Sequence, residues 1–87
     1  MELKRGMVVR SAAGHDRDTF CAILSIDGSF AFLCDGKRRP LEKPKKKKRI
    51  HFFPTSTILP EEALKTNRSI RTALRKFQSA GSSKEEA

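Results

Sequence analysis

Short apolar runs separated by turn signals constrain the fold of this chain more than any other feature of its sequence. The runs at 7–10, 20–26 and 29–34 have the length and residue types of β-strands. Asp27-Gly28 and Asp35-Gly36 follow the second and third runs. Such pairs are typical of tight hairpins, whose turns require positive φ angles that glycine adopts without strain. The pattern predicts consecutive antiparallel strands, as in a small barrel.

The rest of the predicted sheet comes from two weaker segments. A fourth strand is expected at residues 37–41, and Pro40 suggests that it lies at a sheet edge. A fifth strand is expected at residues 50–53. A two-residue turn at Asp27-Gly28 would place Cys21 opposite Cys34 as a packed, reduced pair. Both faces of that hairpin are apolar, and the phenylalanines at 20, 30 and 32 are expected to be core residues. One face can line a barrel, and the other needs a cover.

The C-terminal third of the chain offers that cover. Residues 60–65 read as a short turn, and the helix after it is predicted from Asn67 to Ser79, capped by Thr66 or Asn67. Its apolar stripe has the spacing i, i+4, i+7 and consists of Ile70, Leu74 and Phe77. The prediction is therefore a barrel over 1–58, a helical segment over 59–80 and a disordered tail over 81–87.

Charge is concentrated in one short segment. The 87 residues carry a net charge of +9, and residues 37–49 hold nine of the 19 Lys and Arg residues but one of the ten acidic ones. Focused charge of this kind favours a polyanionic partner. Neutralising phosphates releases counterions, so binding should weaken steeply as salt rises.

The segment from Gly6 to Phe20 resembles the KOW motif of ribosomal and transcription-elongation proteins. The matching positions are Gly6, Val8, Val9, Gly14 and Arg17, while Asp18 stands where the motif usually has glycine. The wider run AGHDRDTF, a DG hairpin and DGKRRPLEKPKKKKRIHF is similar to bacterial KOW-domain RNA-binding proteins and to the fourteen-e family of archaeal and eukaryotic large-subunit ribosomal proteins. The resemblance covers about residues 4–55 and implies a five-stranded SH3-like barrel, rRNA binding and no catalysis. With the predicted helix, the expected fold is mostly β, an SH3-like barrel of KOW type followed by a C-terminal helix.

The candidate RNA-binding residues lie in the KOW-like segment, the basic segment and the predicted helix. They are Arg10, His15, Arg17, Lys37, Arg38, Arg39, Lys43, Lys45, Lys46, Lys47, Lys48, Arg49, His51, Arg68, Arg71 and Arg75. The run over 43–49 is interpreted as a loop that binds phosphate, although a solvated run or a nuclear import signal has the same composition. The helix arginines either bind RNA or form an ordinary polar face. One of Phe52 and Phe53 should be buried, leaving the other to stack on a base.

Other functional classes find little support in the residue pattern. Cysteine and histidine spacings match no zinc finger or ribbon, and no catalytic motif is present, so neither a metal or other cofactor nor an enzymatic activity is expected. Without an apolar membrane span or signal core, we expect a cytoplasmic, ribosome-associated protein. Its expected partners are RNA, above all large-subunit rRNA, and neighbouring ribosomal proteins, and the free protein should be monomeric. The alternative is an SH3-like module that binds protein and regulates transcription or translation.

Overall fold

Five β-strands and one long helix make up the part of the protein that the structure describes. The computed structural model describes residues 2–11 and 19–86, with side chains described as far as Phe77. The elements are β1 (Met7–Ser11), β2 (Phe20–Asp27), β3 (Phe30–Cys34), β4 (Lys45–Lys48), β5 (Phe52–Ile58) and α1 (Asn67–Glu86), with single 3₁₀ turns at Arg49–His51 and Glu61–Leu64. The prediction of a mostly β fold with a C-terminal helix is confirmed.

The strands form one antiparallel sheet in the order β4-β3-β2-β1-β5. In a flat sheet β4 and β1 would be roughly 14 Å apart, since three strand spacings separate them. However, Lys47 Nζ on β4 donates a hydrogen bond to Ser11 Oγ on β1 at 2.6 Å. The sheet must therefore curl to bring these strands together. It is not closed into a barrel, because β4 and β5 remain its two edges among the described strands.

Each face of the curled sheet carries its own apolar cluster. The inner cluster lies on the face that Ser11 and Lys47 share, and it consists of Leu3, Met7, Val9, Cys21, Ile23, Ala31, Leu33 and Phe52. The outer cluster joins the other face to the C-terminal segment through Val8, Ala22, Cys34, Leu59, Leu64, Ile70 and Leu74. Curling thus buries one apolar face, and α1 covers part of the other.

Helix α1 begins where the sequence predicts it. The Ser69 backbone N–H donates to Thr66 Oγ1 at 3.0 Å, and the Thr66 N–H donates to Ser69 Oγ at 3.2 Å. This reciprocal pair satisfies donors that a helix start would otherwise leave free, so Thr66 is the cap. Ile70 and Leu74 are fully buried, and Phe77 packs against Phe20 with ring centroids 5.5 Å apart. The predicted apolar stripe is confirmed.

The end of α1 differs from the prediction. The helix continues through Gly81 to Glu86 instead of ending at Ser79. Glycine and serine are weak helix formers, which is why the sequence favours an earlier end. The disordered tail over 81–87 stays a prediction.

Arg5 connects three parts of the fold. Its Nη1 donates to the Leu24 carbonyl at 2.7 Å, and its Nε donates to both carboxylate oxygens of Glu61, at 2.9 and 3.1 Å. The hydrogen bond from Arg5 holds the pKa of Glu61 below its ordinary value. The contact links the chain before β1 to β2 and to the 3₁₀ turn that precedes α1.

The predicted register of the β2–β3 hairpin is wrong. Asp27 pairs with Phe30, so the turn consists of Gly28 and Ser29, and the register shifts again between Ile23 and Ser25. A shift of one residue moves a side chain to the opposite face of a sheet. The shift between Ile23 and Ser25 therefore places Ala31 and Leu33 in the inner cluster, together with Ile23.

The same shift separates the two cysteines. Ala22, and not Cys21, pairs with Cys34. Cys21 belongs to the inner cluster and Cys34 to the outer one, on opposite faces of the sheet. The predicted packed pair of cysteines is therefore wrong, and no disulfide joins Cys21 to Cys34.

The predicted fourth strand at 37–41 is also wrong, and these residues form a loop. Asp35 Oδ1 accepts hydrogen bonds from the backbone N–H groups of Lys37 and Arg39, both at 2.9 Å. An aspartate that binds nearby backbone donors competes with strand pairing, and Pro40 has no N–H to contribute to a sheet. The fourth strand is instead Lys45–Lys48, so the predicted basic loop is largely a strand. The fifth, predicted at 50–53, is Phe52–Ile58, after a 3₁₀ turn.

Gly36 provides a test of how the loop packs on α1. A Cβ at Gly36 (φ +78°) would collide with the carbonyl oxygen of Asn67, whereas a Cβ at Gly28 (φ +61°) would meet no atom within 4 Å. We expect Gly36→Ala to lower the free energy of unfolding by about 2–5 kcal/mol, from strain plus collision. Gly28→Ala, the matched control, should cost about 1–2 kcal/mol from strain alone. Denaturant unfolding measures both, and equal losses would contradict the packing.

Candidate nucleic-acid interface

The four consecutive lysines of β4 lie at an edge of the sheet. They pair in register with β3, so that Lys45 and Lys47 lie opposite Leu33 and Ala31, while Lys46 and Lys48 lie opposite Phe32 and Phe30. Side chains alternate between faces along a strand. Lys47 is half-buried on the inner face, and its neighbours Lys45, Lys46 and Lys48 are exposed. A strand of lysines also discourages pairing with a strand of another molecule.

Two phenylalanine rings lie beneath the outer lysines of β4. Lys46 Nζ is 4.7 Å from the centroid of the Phe30 ring and 5.8 Å from that of Phe32. Lys48 Nζ is 5.9 Å from the Phe30 centroid. These distances are within the range of cation–π attraction. The outer face of β3 and β4 thus combines aromatic rings with exposed positive charge.

A second basic group forms where the loop after β3 meets the start of α1. Arg71 Nη1 donates to the Gly36 carbonyl at 2.7 Å, and the Leu41 N–H donates to Asn67 Oδ1 at 2.7 Å. These contacts hold the loop against the helix. As a result, the exposed side chains of Lys37 and Arg38 lie on a loop fixed beside Arg71.

Arg10 is a third basic site, separate from the first two and next to β5. Its guanidinium carbon is 5.1 Å from the centroid of the Phe53 ring, which is 53% exposed. Phe52 is buried in the inner cluster, so the prediction that one of these two phenylalanines is buried is confirmed. His51 and Arg49 are exposed in the 3₁₀ turn that leads into β5.

The remaining candidates are spread over the chain. Lys43 is exposed just before β4, Arg68 and Arg75 are exposed on α1, and Arg39 is half-buried in the loop. His15 and Arg17 lie outside the described residues. The structure therefore brings the candidates together in the β4 edge and in the loop beside α1, and it leaves Arg10 near β5.

Cys34 is a poor candidate for a reactive cysteine. Burial, reinforced by the nearby Asp35 carboxylate, raises the pKa of the Cys34 thiol to about 12. The thiolate is the reactive form, so this thiol stays protonated and inert at neutral pH.

Residues 2–11 and 19–86 hold no group of three His, Cys, Asp or Glu side chains that could bind a metal ion. Within the same residues, no helix combines the length and apolar character needed to cross a membrane.

No model of a protein family matches the chain. No curated protein matches it either. The KOW resemblance therefore stays a prediction.

The sequence prediction missed the positions of Phe30 and Phe32. Both rings were expected in the core, but they are half-buried and belong to neither apolar cluster. Their partners on β2 are Asp27 and Ser25, which are polar and exposed. That polar pairing is a signal for a solvent-facing site, but it becomes visible only once the hairpin register is correct.

Two lysines of β4, Lys47 and Lys45, offer a test of the curled sheet. Lys47→Met should lower the free energy of unfolding by about 1–2 kcal/mol, because the buried Ser11 hydroxyl loses a charged hydrogen-bond donor. Lys45→Met, the same change at an exposed neighbour, should alter it by less than about 0.5 kcal/mol. Urea unfolding measures both variants. An equal effect of the two would argue against the contact between β4 and β1.

Proposed function

We propose that this chain is a non-catalytic RNA-binding protein, a component or close associate of the large ribosomal subunit, built as an SH3-like barrel of KOW type. The observation that carries the proposal is the position of the lysine run in the fold. Lys45, Lys46 and Lys48 are exposed on a strand that is hydrogen-bonded into the sheet. Their charges are therefore mounted on a folded domain and are not part of a free tail.

Mounting the charges on a strand favours binding for an entropic reason. A disordered lysine run must be ordered when it binds, which offsets part of the electrostatic gain. Here the backbone of the run is already fixed, so only the side chains have to be ordered. Lysine acts as a point charge that binds phosphate without reading base identity, which suits contacts to an RNA backbone.

Two features of the fold support the finer assignment to an SH3-like barrel. The described sheet has five antiparallel strands, and it curls until Lys47 on β4 contacts Ser11 on β1. Both features agree with the five-stranded barrel that the KOW resemblance implies. The basic loop that the resemblance implies falls on residues 12–18, which lie outside the described residues.

A protein-binding module remains the second candidate because of exposed apolar side chains near β5. Ile50 is 76% exposed, Phe53 53% and Ile58 47%. All three lie in or just before β5, and exposed apolar side chains can contribute to a surface that binds another protein. In that case the lysines of β4 would serve only solubility.

Charge reversal of the exposed β4 lysines tests RNA binding. The triple variant Lys45→Glu, Lys46→Glu, Lys48→Glu keeps Lys47 and its contact with Ser11. We expect it to bind purified rRNA far more weakly and to reduce the salt slope, log K against log[salt], by about two to three. Filter binding over a series of salt concentrations measures both quantities.

The control variant changes the same net charge elsewhere. Lys4→Glu, Lys65→Glu, Lys76→Glu alters three exposed lysines outside the basic segment. It should retain most of the affinity and the salt slope. Equal losses in both variants would mean that only net charge matters, and no loss in either would favour the protein-binding module.

Ribosome sedimentation tests the ribosomal part of the proposal. The protein should travel with large subunits at low salt and be released as salt rises, since phosphate contacts weaken with ionic strength. The β4 triple variant should be released at lower salt than the control variant. A protein that stays at the top of the gradient at low salt would contradict ribosome association while leaving RNA binding intact.

A further inference from the structure

An aromatic surface on β3 is accounted for neither by the core nor by phosphate binding. Phe30 and Phe32 lie two residues apart on the outer face, and both are half-buried outside the two apolar clusters. Lysines of β4 lie over both rings. Rings in this position are accessible once the lysines move.

The lysines that cover the rings are free to move. Lys46 and Lys48 are exposed, and their Nζ atoms lie 4.7 to 5.9 Å from the ring centroids. A cation–π contact at an exposed site is weaker than the stacking of a base on an aromatic ring. An arriving nucleotide can therefore take the ring faces, while the ammonium groups turn to its phosphates.

We propose that Phe30 and Phe32 form a stacking platform for unpaired RNA bases, with Lys46 and Lys48 binding the adjoining phosphates. The inference rests on the proposed RNA-binding function and specifies the RNA as single-stranded at this surface. Stacking tolerates any base, because every base has a π face, so the site selects unpaired nucleotides without selecting a sequence.

The spacing of the rings favours single-stranded RNA over a duplex. Residues two apart on a strand are separated by roughly 6.6–6.8 Å along it. Bases in a duplex are covered on both sides by their neighbours and offer no free face to a ring. Two rings at this spacing fit bases that have been splayed apart, as in loops, bulges and ends.

An acidic peptide is a less suitable occupant of the same surface. It would satisfy the lysines but leave the rings without a matching partner. A nucleotide suits both parts of the site, because its base can stack on a phenylalanine ring and its phosphate can bind a lysine.

The test compares two RNA oligomers with the same number of phosphates. One is an oligouridylate of about 12 nucleotides, within the usual site sizes for single strands, and the other is its abasic counterpart. The wild-type protein should bind the oligouridylate at least about tenfold more tightly. The double variant Phe30→Leu, Phe32→Leu should lose this preference while its affinity for the abasic oligomer is unchanged.

Two further variants complete the comparison. Phe30→Tyr, Phe32→Tyr retains the aromatic faces and should keep the preference. Ile58→Ala shortens an exposed apolar side chain at the end of β5, outside the platform, and should also keep it. Thermal unfolding checks that each variant folds. Should the leucine variant not fold, NMR of the wild-type protein decides: ring protons of Phe30 and Phe32 should shift with the oligouridylate and not with the abasic oligomer.

Several outcomes would overturn the platform. They are equal binding of both oligomers by the wild-type protein, an unchanged preference in the leucine variant, and loss of the preference in Ile58→Ala. An RNA duplex whose binding is weakened by Phe30→Leu, Phe32→Leu as much as that of the oligouridylate would also overturn it. If the wild-type protein binds both oligomers equally and in a salt-dependent way, the platform fails and the proposed RNA binding stands. If it binds neither oligomer nor rRNA at low salt, both proposals fail. Binding of an acidic peptide in place of RNA would also overturn both.

Discussion

The β1–β2–β3 sheet has two apolar faces, and the rest of the structure follows from the need to bury both. Val9 and Ile23 lie on one face and Val8 and Ala22 on the other, and none of the four is exposed. Curling the sheet encloses the first face, and α1 covers the second. Apolar burial is the main favourable term in folding, and a domain this small has little of it in reserve. Both covers are therefore required.

The candidate interface depends on the same two covers. Curling of the sheet places Lys47 against Ser11 and so turns β4, with its other lysines exposed, into the rim of the folded unit. Packing of α1 fixes the loop after β3, because the Arg71 side chain and the Gly36 carbonyl meet there. The basic side chains are thus oriented by contacts that also stabilise the fold.

The sequence was sufficient to predict β1 to β3 and α1, but not the register of the β2–β3 hairpin or the position of the fourth strand. Helix α1 was predictable because Ile70, Leu74 and Phe77 have helical spacing and Thr66 is a strong capping residue. The hairpin register was not, since Asp27-Gly28 and Gly28-Ser29 are both acceptable turns and a bulge in β2 leaves no trace in the residue pattern. The lysine run of β4 reads as a loop in the sequence, because lysine has a low preference for strands. Its pairing with β3 makes it a strand.

The lysine strand has a consequence for the relation between ligand and fold. Four like charges in succession repel one another, and this repulsion opposes the extended, paired state of β4. An edge strand is also among the first parts of a sheet to open. A polyanion that neutralises these charges removes the repulsion and binds the paired state better than the detached one. Binding and cohesion of the strand are then thermodynamically linked, so that a bound polyanion acts as a structural component of the sheet edge.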